Sequence, residues 1–313
     1  MNHFIFCVML AFSQAWPVAA SSTNQPAASA LFLAVKLNDP DAVKIALLGG
    51  VSMDTRNDQG RTALIVAAST GNLEMTKLLV EHGADVNART TTEIGSTVLC
   101  FAIEGRNLQV LDYLIERGAN VDGTSKNGQT PLHYAAAHGL NDFVGSLLRH
   151  GADPDLFGIP DTKGNLTTPL MAAAANGHFE TVQLLVEEGA QLEKANNVGD
   201  TVLMDVCKRP YPEIVKLLIE KGANVNAMGQ DGYTALIYAA YQGQVETIRL
   251  LLSAGANPLA TATDHLTPNA RQARYDAADL AQQNGHLEAL LLVLRAQEQA
   301  LKARRAKQWD ILL

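Results

Sequence analysis

A Gly-Ala pair that returns at a nearly fixed interval constrains this chain more than any other feature. It stands at Gly83, Gly118, Gly151, Gly189, Gly222 and Gly255, in steps of 35, 33, 38, 33 and 33 residues. A second marker keeps the same register: Thr62-Ala63-Leu64, Thr97-Val98-Leu99, Thr130-Pro131-Leu132, Thr168-Pro169-Leu170, Thr201-Val202-Leu203 and Thr234-Ala235-Leu236. Two independent landmarks in phase imply small supersecondary units that bury their apolar faces against one another. The aromatic content of 5% fits that reading, because thin layers are built from Ala and Leu whereas a large compact core draws on Phe, Tyr and Trp.

Each landmark has a local physical reading. The Thr is placed to cap the N-terminus of a first helix, with Pro or Ala tolerated just inside. The Leu-x-x-Ala-Ala stretch lets that helix approach its neighbours closely, and a glycine such as Gly71 or Gly177 ends it in a left-handed turn. A second helix carries apolar residues at helical spacing, for example Val182, Leu184, Leu185 and Val186, and the Gly of the Gly-Ala pair ends it. A finger rich in turn residues, such as Asn57-Asp58-Gln59-Gly60, leads to the next unit. In the fifth unit Lys208-Arg209-Pro210-Tyr211-Pro212 replaces the inter-helix glycine turn. Pro212 still falls at the start of a second helix, where its missing N–H costs nothing, and Pro40 holds the same register in the N-terminal unit.

These residues resemble the ankyrin-repeat family, whose unit runs G-x-T-P-L-H-x-A-A-x-x-G-H, then a V-x-L-L-L helix, then G-A-x-x-N. The match is closest at Gly128-Gln129-Thr130-Pro131-Leu132-His133-Tyr134-Ala135-Ala136-Ala137-His138-Gly139 and at Thr168-Pro169-Leu170-Met171-Ala172-Ala173. The closing element stands at Gly83-Ala84-Asp85-Val86-Asn87 and Gly222-Ala223-Asn224-Val225-Asn226. The resemblance covers residues 29–294 and implies an all-α ankyrin-repeat solenoid of about eight helix pairs with β-hairpin-like finger loops. The units are expected at 29–56 (an N-terminal cap), 57–89, 90–124, 125–155, 156–195, 196–227, 228–258 and 259–294 (a C-terminal cap), followed by a helical extension over 295–313.

The N-terminus has a different character. Phe4 to Phe12 form an apolar run of nine, too short to span a bilayer, followed by Val18-Ala19-Ala20 with small residues where a signal peptidase reads. Residues 1–20 therefore read as a secretory signal and 21–28 as a linker, although Met1-Asn2-His3 carries no Lys or Arg. The alternative is a cytoplasmic scaffold with an uncut apolar N-terminus. With the signal removed, no stable membrane insertion is expected. Cys7 lies within this segment, and Cys100 and Cys207 fall on first helices three units apart, beyond disulfide reach, which suits two buried apolar residues.

Catalytic chemistry has little support. The G-x-S-x-G elbow, the phosphate loop and H-E-x-x-H are all missing from the sequence, and no Cys/His spacing makes a zinc site. Of the histidines, His82 and His150 suit helix C-termini. The resemblance implies structural roles for His133, His178 and His286; His138 falls at a variable, solvent-facing position and His265 in a loop. No enzyme activity, cofactor or metal is expected, and a formal net charge of -8 argues against nucleic acid.

The resemblance implies protein binding through finger tips and the exposed ends of the first helices, on a concave face. Carried over unit by unit, those positions are Gln59, Arg61, Glu104, Asn127, Gln129 and His138, then Asn197, Asp200, Lys208, Arg209, Gln230, Asp231, Tyr233, Tyr241 and Gln242. Arg209, Tyr233 and Tyr241 lead, because Tyr and Arg bury large area behind a polar tip. Phe157 and Ile159 belong to an apolar finger, 156–160, which either meets a partner or folds back on the next layer. Arg271 and Arg274 in the loop before the last unit are further basic candidates. The extension, with Lys302, Arg304, Arg305, Lys307 and Trp309, reads as a solvated capping helix rather than a docking tail. The expectation is a monomeric, non-catalytic adaptor, protector or inhibitor of a partner protein, in the periplasm or outside the cell. The rival readings are an accessory subunit tuning an exported enzyme, and a spacer.

Overall fold

A computed structural model of the chain describes residues 25–158, 166–263 and 274–312. The proposed signal, Ile159, His265 and Arg271 lie outside the described residues. Helices come in pairs, a short first helix and a second of nine residues in most units. They are α1 (Gln25–Lys36) with α2 (Pro40–Leu48), α3 (Ala63–Ser69) with α4 (Leu73–Glu81), α5 (Val98–Glu104) with α6 (Leu108–Glu116), and α7 (Pro131–Ala137) with α8 (Asn141–Arg149). There follow α9 (Pro169–Ala175) with α10 (Phe179–Glu187), α11 (Val202–Val206) with α12 (Pro212–Glu220), α13 (Ala235–Tyr241) with α14 (Val245–Ser253), and α15 (Ala277–Gln283) with α16 (Leu287–Leu312). The strands β1 (Thr261–Thr263) and β2 (Arg274–Asp276) pair antiparallel ahead of α15. Helix α1 begins at Gln25, inside the stretch expected to be a linker, with Pro26 in its first turn where no N–H is needed.

The chain divides into two compact units. One comprises residues 1–135 with 145–152, the other 136–144 with 153–313. In the first unit α1, α3 and α5 stack side by side, with α4 against α6 behind them. Leu64, Ala67, Ala68, Leu99, Ala102 and Ile103 are fully or almost fully buried there, and each large side chain contributes about 1.5–3 kcal/mol. In the second unit α9, α11, α13 and α15 stack in the same way, backed by α10, α12, α14 and α16. Alanines at 173, 174, 239, 240 and 281, all completely buried, permit the close approach of those first helices.

Capping threonines start several of the first helices. Thr62, Thr97, Thr168 and Thr234 each accept a hydrogen bond from the backbone N–H three residues on, at 3.2–3.5 Å. The turn glycine Gly177 sits at φ +76, and a Cβ there would lie 2.6 Å from the Tyr211 ring of the next repeat. The closing asparagine ties one finger to the next. Asn226 donates to the Gly255 carbonyl at the end of α14 (3.0 Å) and accepts from Asn257 N–H (2.7 Å); Asn87 does the same with Gly118 and Asn120. At these two places an asparagine satisfies a carbonyl just past the second helix of the neighbouring repeat.

Candidate protein-binding face

The richest polar cluster of the second unit lies at the ends of α11 and α13. Lys208 Nζ donates to Asp200 Oδ2 at 2.7 Å and Asp205 Oδ1 at 3.1 Å, and lies 4.8 Å from the centre of the Tyr238 ring. The Tyr238 hydroxyl donates to the Asp200 carboxylate at 3.2 Å, and Tyr233 stacks on Tyr238 with ring centres 5.1 Å apart. Burial opposes the Lys208 charge, but Asp205 and Asp200 outweigh it, so the lysine titrates above its ordinary value. Burial, then Asp200, pushes the Tyr238 phenol upward as well.

This arrangement corrects three expectations. Tyr233 is only 5% exposed because its ring is held against Tyr238, and Asp200 is only 2% exposed beneath Lys208. Lys208 is engaged by two carboxylates of its own repeat, so it is not a free surface contact. What remains open is the next position along. Arg209 and Gln242 are exposed and share one register 33 residues apart, while Tyr241 is half-buried beside Gln242. Among the described residues the side chains of Arg209, Tyr241 and Gln242 make no hydrogen bond or ion pair.

In the first unit the Arg61 guanidinium lies 4.6 Å from the centre of the Phe101 ring, across one repeat, and is half-buried. Glu104 is exposed at the end of α5, and Gln129 is half-buried with its backbone N–H donated to Ser125 Oγ at 3.0 Å. His138, which belongs to the second unit, is exposed just beyond α7. Phe157 is half-buried under the Lys194 ammonium, 5.1 Å from its ring centre, so this end of the apolar finger folds onto its own repeat array. Asn197 is also used internally: its side chain accepts from Leu166 N–H at 2.7 Å and its carbonyl from Gln230 Nε2 at 3.1 Å.

With this geometry in place, a family model described as ankyrin repeats (3 copies) matches residues 7–90, 87–158, 155–229 and 203–304. The chain belongs to the ankyrin-repeat family. Its fold class is the all-α ankyrin-repeat solenoid. The B-cell lymphoma 3 protein homolog of Mus musculus is 34% identical over 200 residues, covering 63% of this chain and 35% of that protein. The Ankyrin repeat and KH domain-containing protein mask-1 of Caenorhabditis elegans is 28% identical over 163 residues, 52% of this chain and 6% of that protein. The matches thus span about a third or less of those relatives. Among solved structures, the human ASB11 ankyrin repeat domain superposes with a TM-score of 0.60 at 32% identity, covering 74% of this chain and 98% of that one. Ankyrin repeats are in general protein–protein interaction modules, typically non-catalytic.

The remaining polar side chains of the ankyrin units act on their neighbours. His178 Nε2 lies 3.0 Å from the Ala137 carbonyl, and Gln244 donates to the Cys207 carbonyl at 3.0 Å from the same register. His133 is buried with Nδ1 2.8 Å from the Thr130 hydroxyl, within its own unit. His82 and His150 meet the carbonyls of Leu78 and Ser146, four residues back in their own helices. Cys100 and Cys207 are buried free thiols, both pushed up by burial, which makes them poor nucleophiles. Among the described residues no three His, Cys, Asp or Glu side chains converge in a way that would hold a metal ion, and no helix is long and apolar enough to cross a membrane. Sequence reasoning does not single out Asp205 or Tyr238. The i, i+3 spacing of Asp205 and Lys208 is a readable signal, and Tyr238 lies 33 residues, one repeat, beyond Asp205.

Proposed function

We propose that this ankyrin array is a non-catalytic binding module, an exported adaptor, protector or inhibitor that grips one partner protein. The supporting observation is the pair of adjacent, outward-facing helix ends in the second unit, where Arg209, Tyr241 and Gln242 have no partner among the described residues. Their neighbours Lys208, Asp200, Tyr233 and Tyr238 are locked together and form a rigid base. A preorganised base lowers the ordering cost of binding. An arginine fork beside a tyrosine favours a partner segment bearing carboxylates. Arg61, Glu104 and Gln129 in the first unit, and His138 in the second, are candidate contacts, each within its own unit. Export rests on the apolar run and Val18-Ala19-Ala20.

The test is affinity capture from native extracytoplasmic extract, using the parent beside an Arg209→Ala/Tyr241→Ala/Gln242→Ala variant with an unchanged melting curve. The expected result is a protein held by the parent and released at least tenfold more readily by the variant. Equal retention removes this surface from the interface. N-terminal sequencing of protein from its host is expected to begin at Ser21.

A further inference from the structure

Helix α16 is unlike the second helices before it. Those of the preceding seven units each span nine residues, whereas α16 runs for 26, from Leu287 to Leu312. Its inner face is fixed to the array. Ala289 and Val293 are buried, and Gln297 donates to the Pro258 carbonyl at 3.0 Å and to Asp276 Oδ2 at 2.8 Å. An adjoining flank, turned by about a third of a revolution from the inner face, carries Leu287, Leu291, Leu294 and Leu301 at 71%, 56%, 45% and 46% exposure. A terminal repeat ordinarily ends such an array with a polar outer face, because no further repeat covers it. Here Leu287, Leu291, Leu294 and Leu301 take four positions of a 4-3 helix-packing seam, and Glu298 and Arg305 take the two others.

Two features say what covers it. Leu287 and Leu301 each lie seven residues, about 10 Å along the axis, from Leu294. A two-fold axis near Leu294 therefore brings Leu287 of one copy onto Leu301 of the other, so the stripe is complementary to itself when reversed. Charge selects the same direction. The first half of the helix carries Glu288 and Glu298 against Arg295, whereas Lys302, Arg304 and Arg305 follow in the second. Parallel copies set the basic halves against each other; antiparallel copies set Glu288 opposite residue 300 of the second copy, within a turn of its Lys302. Glu288 and Glu298 already meet Arg249 and Lys302 of their own chain in exposed pairs, which are weak enough to be shared.

We propose that α16 is a self-association surface, pairing antiparallel with α16 of a second copy of this chain about Leu294. This departs from the monomer expected from sequence and is independent of the binding face at Arg209. It gives the array two copies of that face, and hence avidity for a repeated partner.

The test is light scattering on the purified full chain at tens of micromolar. Twice the 33.5 kDa mass is expected, falling to the single-chain mass for Leu291→Glu/Leu294→Glu. Leu294→Cys in a Cys7→Ser background is expected to form a disulfide-linked pair under mild oxidation, which keeps the test open if the glutamate variant misfolds. Leu48→Cys in the same background, at a position 89% exposed in the N-terminal unit, is the collisional control. Lys302→Glu is expected to weaken pairing about tenfold, since it sets a like charge at Glu288 of the second copy only in the antiparallel arrangement. A single-chain mass at every concentration overturns the proposal, whether or not the chain binds vesicles of anionic phospholipid. Equal cross-linking of the Leu48→Cys and Leu294→Cys variants, or dissociation by Leu48→Glu, also overturns it.

Discussion

The fifth and sixth repeats share one period and solve the turn between their helices in opposite ways. In the sixth, Gly243 at φ +68 ends a seven-residue α13, and the His286 ring of the next repeat packs directly on it. In the fifth, Pro210 holds that register and is barred from a left-handed turn, and α11 is cut to five residues. The shortened end is held by Lys208, bonded to Asp200 in the finger and Asp205 in the helix. Backbone geometry secures one repeat; a part-buried ion pair secures the other. The ion pair draws Lys208 inward and leaves Arg209 as the side chain presented outward, so the departure from the repeat pattern also shapes the candidate interface.

The sharpest way to break this comparison is Lys208→Ala. It leaves the Asp200 carboxylate, 2% exposed, without its counter-charge, and a cost of about 3 kcal/mol is expected. Lys216→Ala removes an exposed pair with Glu220 and is expected to cost under about 1 kcal/mol. Urea midpoints for the two variants at neutral pH provide the check. Equal shifts would mean that the fifth repeat does not depend on its ion pair.

The sixth repeat answers to a steric probe. In Gly243→Ala the new Cβ meets His286 ring atoms at 2.5–2.9 Å and adopts a left-handed conformation, for an expected loss of about 2 kcal/mol. Gly255→Ala has the same backbone strain at φ +87 but open space around the Cβ, and is expected to cost about 1 kcal/mol. Thermal melts that fail to separate the two would show that the ring contact adds nothing.

How far the sequence could be read follows from these repeats. The period, the caps and the turn glycines are local signals, and the helix pairs start and stop close to where Thr, Gly and Pro place them. Lys208 shows where local reading ends. Register alone equates it with Tyr241, an open helix-end position, and its fate depends on Asp200 eight residues earlier and Tyr238 one repeat later. Tyr233 departs from its expected exposure for the same reason: its burial is decided by a stacking partner five residues away around the finger and helix start. The outward face of α16 is equally hidden in the sequence, since a leucine at helical spacing reads as core until its surroundings in space are known.

The smallest effect sharpens the comparison at the start of the two first helices. Thr234 accepts from Ile237 N–H at 3.3 Å, whereas the Thr201 hydroxyl is buried with no hydrogen-bond partner among the described residues. Both threonines are almost fully buried and precede an equivalent Val or Ala, so the same substitution tests different physics at each. Thr234→Val removes a satisfied cap and is expected to cost about 1 kcal/mol. Thr201→Val replaces an unsatisfied hydroxyl by a methyl of similar size, so stability is expected to hold or rise by roughly a few tenths of a kcal/mol. Guanidinium midpoints of the two variants, measured against the parent, distinguish these outcomes. A loss at Thr201 matching that at Thr234 would mean that the hydroxyl caps α11 after all, and that the fifth repeat differs from the sixth only in its turn.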